Sequence, residues 1–177
     1  MSDPGPVRQQ LTNLLGAYGY NLYDDKNRMR ADDLLVRGQA AAALGEATNA
    51  LRDLRAAYRR QFIPPPSREQ PYPPADRMAQ LDAMARLQER AADLETRIRN
   101  MAVPPTDRVW ARFRDEARLL GDLLLHDYAL IAPAMALRDQ ALALTPDAWS
   151  PAAASALNQE AAQLEAGIRA RQTFLQA

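Results

Sequence analysis

The chain has no cysteine, a single histidine (His126) and a single lysine (Lys26) among its 177 residues. Without cysteine there can be no disulfide, no thiolate metal site and no cysteine nucleophile, although the redox compartment stays open. Charge of one sign is missing as well, since 22 basic residues stand against 22 acidic ones. A neutral total gives no global field toward a polyanion, an anionic membrane or a cationic partner, so nucleic-acid binding loses its usual electrostatic signature. No window approaches 18 uninterrupted apolar residues, and the opening MSDPGPVRQQ lacks a charged stretch followed by an apolar run. Neither a signal peptide nor a membrane span is expected from this pattern, and a cytoplasmic protein is the default. The preference for arginine over lysine, with abundant alanine, fits a GC-rich bacterial genome.

What the chain does have is helix-forming sequence. A chain of this length fits one domain, here 1–177, and a domain near this size hides roughly 70% of its unfolded surface. Prolines gather near the start, in IPPPSREQPYPP (63–74), in VPPTD (103–107), at Pro133 and in TPDAWSP (145–151). Between them lie glycine-poor segments rich in Ala, Leu, Arg, Gln and Glu, without β-branched runs. The expected fold is all-α: an antiparallel up-down-up-down bundle of four long helices, with a short additional helix at the N-terminus.

Each long helix shows an apolar stripe with steps of three and four. The first, about 27–62 with Asp24 or Asp25 as cap, carries Leu44, Ala47, Leu51, Leu54, Tyr58 and Phe62. The second, opening after Pro73 and Pro74, carries Met78, Leu81, Met84, Leu87, Ala91, Leu94, Ile98 and Met101. The third, capped by Thr106 or Asp107, carries Trp110, Phe113, Ala117, Leu120, Leu124, Ile131 and Met135. Pro133 falls inside that pattern and should kink or restart the helix, because its ring removes a donor and clashes with the carbonyl of Ala129. The fourth, with Ser150 as N-cap and Pro151 at N1, carries Leu157, Ala161, Leu164, Ile168 and Leu175. Trp149 reads as a staple before it, against Ala154 or Ala156. A leading helix over 6–18 and a tyrosine-rich connector to 26 precede the bundle, and Tyr72 in the 63–74 connector is expected to pack across a bundle end. The alternating seams also suit association with a second copy through another face.

Two of the stripes turn polar. Counting back from Leu44 gives Ala40, Arg37 or Val36, and Asp33; counting forward from Leu124 gives Asp127 or Tyr128, with His126 beside them. Burying a charge is costly unless it is paired, so these positions mark either an internal ion pair or a site. Tyr18, Tyr20 and Tyr23 of GAYGYNLYDD (16–25) are long enough to lie over the same end. Together Tyr18, Tyr20, Tyr23, Asp33, Arg37, His126, Asp127 and Tyr128 form the candidate ligand-binding set. In it Arg37 would pair an anionic group and the tyrosines would pack on a flat one.

No catalytic set emerges: His126 has no Ser/Asp arrangement and no glycine-rich loop beside it. Asp122 and His126 are spaced i,i+4, but a carboxylate-bridged di-metal bundle needs a Glu-x-x-His pair from each of two helices, and one histidine cannot supply it. RLLGDLLLHDY (118–128) resembles, at Leu120, Gly121 and Asp122, the second metal-binding helix of all-α nucleoside triphosphate pyrophosphatases of the MazG type. Where that family carries two glutamates stand Arg118 and Leu119, and no Glu-x-x-Glu-Glu stands upstream, so the Mg²⁺ cluster the resemblance implies has no ligands here. No cofactor or metal is therefore expected. The basic run RDLRAAYRR (52–60) reads as a solvated helix face, and the proline-rich connector as a stiff link. The sequence favours a non-enzymatic adaptor, accessory or scaffolding bundle acting on a protein partner or on itself, ahead of a small-molecule binding bundle.

Overall fold

The proline clusters delimit the helices, as their missing N–H and fixed φ require. The computed structural model describes residues 25–65, 67–68, 71–102 and 116–176, with side chains from Ala31 in the first helix and from Leu120 in the third. The four helices are α1 (Asp25–Phe62), α2 (Ala75–Arg99), α3 (Glu116–Ala143) and α4 (Pro151–Gln176). The protein is all-α, as its composition predicts, and no strand occurs among the described residues. The expected leading helix, the caps of α1 and α3, and the seam residues Trp110, Phe113 and Ala117 lie outside the described side chains.

The stripes of α1 and α2 are buried as the periodicity implies. Leu44, Ala47, Leu51, Leu54 and Tyr58 face Leu81, Met84, Leu87, Ala91, Leu94 and Ile98 in one continuous core, which α4 completes with Leu157, Ala161, Leu164 and Ile168. Two stripe ends differ: Met78 is exposed and Phe62 is half-buried.

Neighbour relations are not those of a ring in chain order. α1 packs chiefly on α3 and α2, while α4 packs on α3 and α2. Pairings between α1 and α3 climb together, from Val36 beside Ile131 to Glu46 near Arg138 at 3.8 Å, so these neighbours run in the same sense. The same holds for α2 and α4, joined by Gln80 to Trp149 and by Arg90 to Asn158 and Glu165. Strict alternation around the bundle would have made all neighbours antiparallel. The link over residues 100–115 instead joins two helices that are not principal neighbours.

The third seam keeps its expected Leu120 and Ile131 in the core but is otherwise shifted in phase. Leu123, Asp127, Leu130, Ala134, Leu137 and Ala141 are buried, whereas Leu124 and Met135 are half-buried beside the Val36–Ile131 contact. A helix wedged between α1 and α4 buries a wide arc, which the run Leu123-Leu124-Leu125 cannot locate by periodicity alone. Nor does α3 restart at Pro133, which sits buried inside one continuous helix. The carbonyl deprived of its donor belongs to Ala129, an exposed residue, where water can take the bond. By length and composition the stretch Leu120–Ala143 could cross a membrane, despite its charges. Here one side of it packs against α1 and α4, while Leu125 and Leu142 are exposed.

At one end of the bundle aromatic and polar contacts close the core. The Nη1 of Arg77 donates to the Tyr58 hydroxyl at 3.1 Å, and its guanidinium lies 4.7 Å from the Phe62 ring centre. Trp149 is buried and donates from Nε1 to Gln80 Oε1 at 2.8 Å, and Ala154 packs against the same core. Ser150 caps α4, its Oγ accepting from the Ala153 N–H at 3.2 Å. Tyr72 takes no place there: it is 81% exposed between Pro71 and Pro73, because Tyr58, Phe62 and Trp149 already cover that end.

Close helix approach is visible at Gly167, where an added Cβ would stand 2.7 Å from Leu130 Cδ2, while one on Gly38 would meet nothing within 4 Å. Gly167→Val should therefore destabilise by about 1–3 kcal/mol through overpacking. Gly38→Ala should stabilise by about 0.5–1 kcal/mol through helix propensity. Thermal melts of the two variants, expected to move in opposite directions, check this.

Candidate functional site: a buried arginine–aspartate cluster

At the other end the core turns charged. Asp33 and Arg37 project from α1, Asp127 from α3 and Arg171 from α4, and all four are at most 4% exposed. Three helices thus deliver two acids and two bases to one dry place, where only mutual pairing makes burial tolerable.

Arg37 is held by its own helix and by the exit from α2. Its Nη2 and Nε donate to Asp33 Oδ2 at 2.6 and 3.2 Å, and its Nη1 donates to the carbonyl of Met101 at 2.9 Å. Arg171 ties the remaining parts together. Its Nε donates to Asp127 Oδ1 at 2.6 Å, its Nη2 to Asp33 Oδ1 at 3.1 Å, and its Nη1 to the carbonyl of Ala102 at 2.9 Å. Met101 and Ala102 directly follow the C-cap residue of α2, Asn100. Two guanidiniums therefore anchor the chain where a helix ends, and the negative end of the α2 dipole favours them there.

The two carboxyls are not equivalent. Burial pushes Asp33 upward, but its hydrogen bond with Asp127, then Arg37 and Arg171, outweigh that and hold it below the usual carboxylate range. For Asp127 burial, followed by the neighbouring Asp33 carboxyl, wins against Arg171 and pushes it up to about 8. Asp33 is thus the ionised member, shared by both arginines. Asp127 Oδ2 is buried and meets no hydrogen-bond partner among the described residues.

Of the eight residues expected to form a site, the structure brings Asp33, Arg37 and Asp127 together. His126 points elsewhere, its ring 5.1 Å from that of Phe174 on α4. Tyr128 is half-buried beside Val36 and Ile131. Tyr18, Tyr20 and Tyr23 lie outside the described residues. Arg171, the residue with the most partners in the cluster, was not expected. Its signal was nonetheless present: three residues beyond Ile168 on the fourth stripe falls Arg171, in the gap before Leu175.

Compared with protein-family models, with curated proteins and with solved structures, the chain matches none. Function must come from the cluster. Among the described residues no group of His, Cys, Asp and Glu could hold a metal ion. Two guanidiniums beside the acids oppose a cation there in any case. The arginine nitrogens are all engaged internally. What it can do chemically is bind three helices and a chain exit into one register, and hold a proton.

Proposed function

We propose that this protein is a non-enzymatic helical bundle that acts in the cytoplasm as an adaptor, accessory or scaffolding subunit, through contacts with a protein partner or a second copy. The observation that carries this reading is the state of Arg37. Each of its three side-chain nitrogens donates within the fold, to Asp33 and to the Met101 carbonyl, so the cation best suited to an anionic ligand is committed to architecture. A polar layer used in this way fixes helix register, the best-attested use of buried charge. The working surface is then the outside of long rods, where Leu34, Leu125 and Leu142 are each 60% exposed or more.

The test combines isolation of the tagged chain from its native host with a ligand screen. One protein should be retained in fixed stoichiometry, or light scattering should show a dimer, and Leu34→Glu, Leu125→Glu or Leu142→Glu should abolish the association without changing the melting temperature. A small molecule that raises the melting temperature of the wild type but not of Arg37→Ala would replace this reading with a ligand-binding one.

A further inference from the structure

The charged cluster has an imbalance that a purely structural ion-pair network would not need. Arg171 lays Nε against Asp127 and Nη2 against Asp33, which sets two carboxyls side by side on one guanidinium edge. Asp127 Oδ2 is buried and meets no donor among the described residues. With both acids ionised, two anionic groups would repel across this edge and one carboxylate oxygen would be left bare in the core. With one proton between them, a carboxyl donates to its neighbour and both defects disappear.

We propose that Asp33 and Asp127 share one proton, and that this proton latches the exit of α2 onto the bundle. The inference goes beyond the adaptor reading and does not depend on it. Among the described residues, the charged groups that act on Asp127 are Asp33 from α1 and Arg171 from α4, and Arg37 reaches the cluster through Asp33. From the α2 side come the backbone carbonyls of Met101 and Ala102. His126, next to it on α3, is turned onto Phe174.

The mechanism follows from the geometry of Arg171. Its Nη1 is the donor that holds Ala102, and its other two nitrogens hold one carboxyl each. Loss of the proton makes Asp127 a full anion, which draws Nε and Nη2 into a bidentate pair and sets it against Asp33. The guanidinium is a rigid plane, so sliding its Nε–Nη2 edge onto Asp127 gives up the Nη2 bond to Asp33 and carries Nη1 off the Ala102 carbonyl. The tail of α2 then loses an anchor, and the end of the bundle loosens.

The sign is fixed by which state holds the proton. The latched state keeps it at pH values where a free aspartate has released it, so latching weakens as pH rises from about 4 towards 8 and is insensitive above that. A one-proton linkage makes the opening equilibrium grow by up to about tenfold per pH unit across that window. Two measurements on the full chain test this. The carboxyl carbon of Asp127, followed by NMR, should titrate well above the ordinary carboxylate range. The amides of Asn100 and Met101, bonded to the carbonyls of Thr96 and Ile98, should lose exchange protection between pH 5.5 and 7.5 by tenfold or more after correction for intrinsic rates.

Asp127→Asn keeps an acceptor for Arg171 and supplies a permanent donor toward Asp33, so it should hold that protection at both pH values. An Asp127 carboxyl that titrates below about pH 5, protection that does not change with pH, or an unchanged pH dependence in Asp127→Asn would each overturn the proposal. If Asp127→Asn does not fold, the wild-type titration and exchange decide it alone.

Discussion

Replacing Arg171 with methionine should lower the unfolding free energy by about 3–5 kcal/mol, the usual cost of removing one partner from a buried ionic set. Methionine keeps an unbranched apolar side chain, so the loss isolates the guanidinium. Three bonds disappear at once: to Asp127, to Asp33 and to the Ala102 carbonyl. Asp33 keeps Arg37, but Asp127 loses its only basic partner among the ion pairs of the described residues. Arg90 provides the control. Its Nε lies 2.9 Å from Glu165 Oε1, a comparable contact, but the two side chains remain 30% and 26% exposed. Water screens that pair, and Arg90→Met should cost under about 1 kcal/mol. Urea unfolding midpoints of both variants measure the contrast. Equal losses would mean that water reaches the Arg171 cluster.

Bundle class was legible because it rests on composition and period. Proline clusters marked the described helix ends to within a few residues, and the seams of α1 and α2 followed, apart from one end residue each, from steps of three and four. Asp33 and Arg37 were legible for the same reason, since a charge on an otherwise apolar stripe is a local anomaly. Arg171 is the instructive miss. Its neighbours on the stripe, Ile168 and Leu175, are seven residues apart, and a seven-residue step still looks periodic, so the arginine between them could be passed over. A charge stands out where an apolar seam ends and is masked where the seam resumes.

What stayed hidden depends on contacts between distant segments. The sequence can place Asp127 within one residue of a seam, but the phase of α3 is chosen by the two helices it packs between. The run of leucines before His126 offers several equally apolar faces. Pairing of α1 with α3 in the same sense likewise cannot be read from short connections, which constrain only consecutive helices. The carbonyls of Met101 and Ala102 carry no side-chain signal at all. They become part of the cluster because α2 ends at that level while α1, α3 and α4 continue past it.

The same asymmetry predicts that exchanging the two acids for asparagine will have unequal results. Asp33 accepts from both arginines, with Oδ2 taken by Arg37 and Oδ1 by Arg171, and it is the acid whose ionised form the site favours. Asp33→Asn leaves two buried guanidiniums without their shared anion and should cost about 3–5 kcal/mol near neutral pH. Its pH dependence runs opposite to that of Asp127. An acid held below its unfolded value contributes stability that is fully present above that value, near 3.9, and is lost as pH falls through its folded value. The deficit of Asp33→Asn against wild type should therefore shrink as pH drops below about 4, because wild-type Asp33 is then also being neutralised. Asp127→Asn should behave in the reverse manner, close to wild type in acid and relatively more stable as pH rises toward 8, where wild-type Asp127 must ionise with Arg171 as its one donor among the described residues. Urea unfolding of both variants from pH 3 to 9 measures the two profiles. Parallel profiles would show that the acids share one role; diverging ones assign the counter-ion to α1 and the proton to α3.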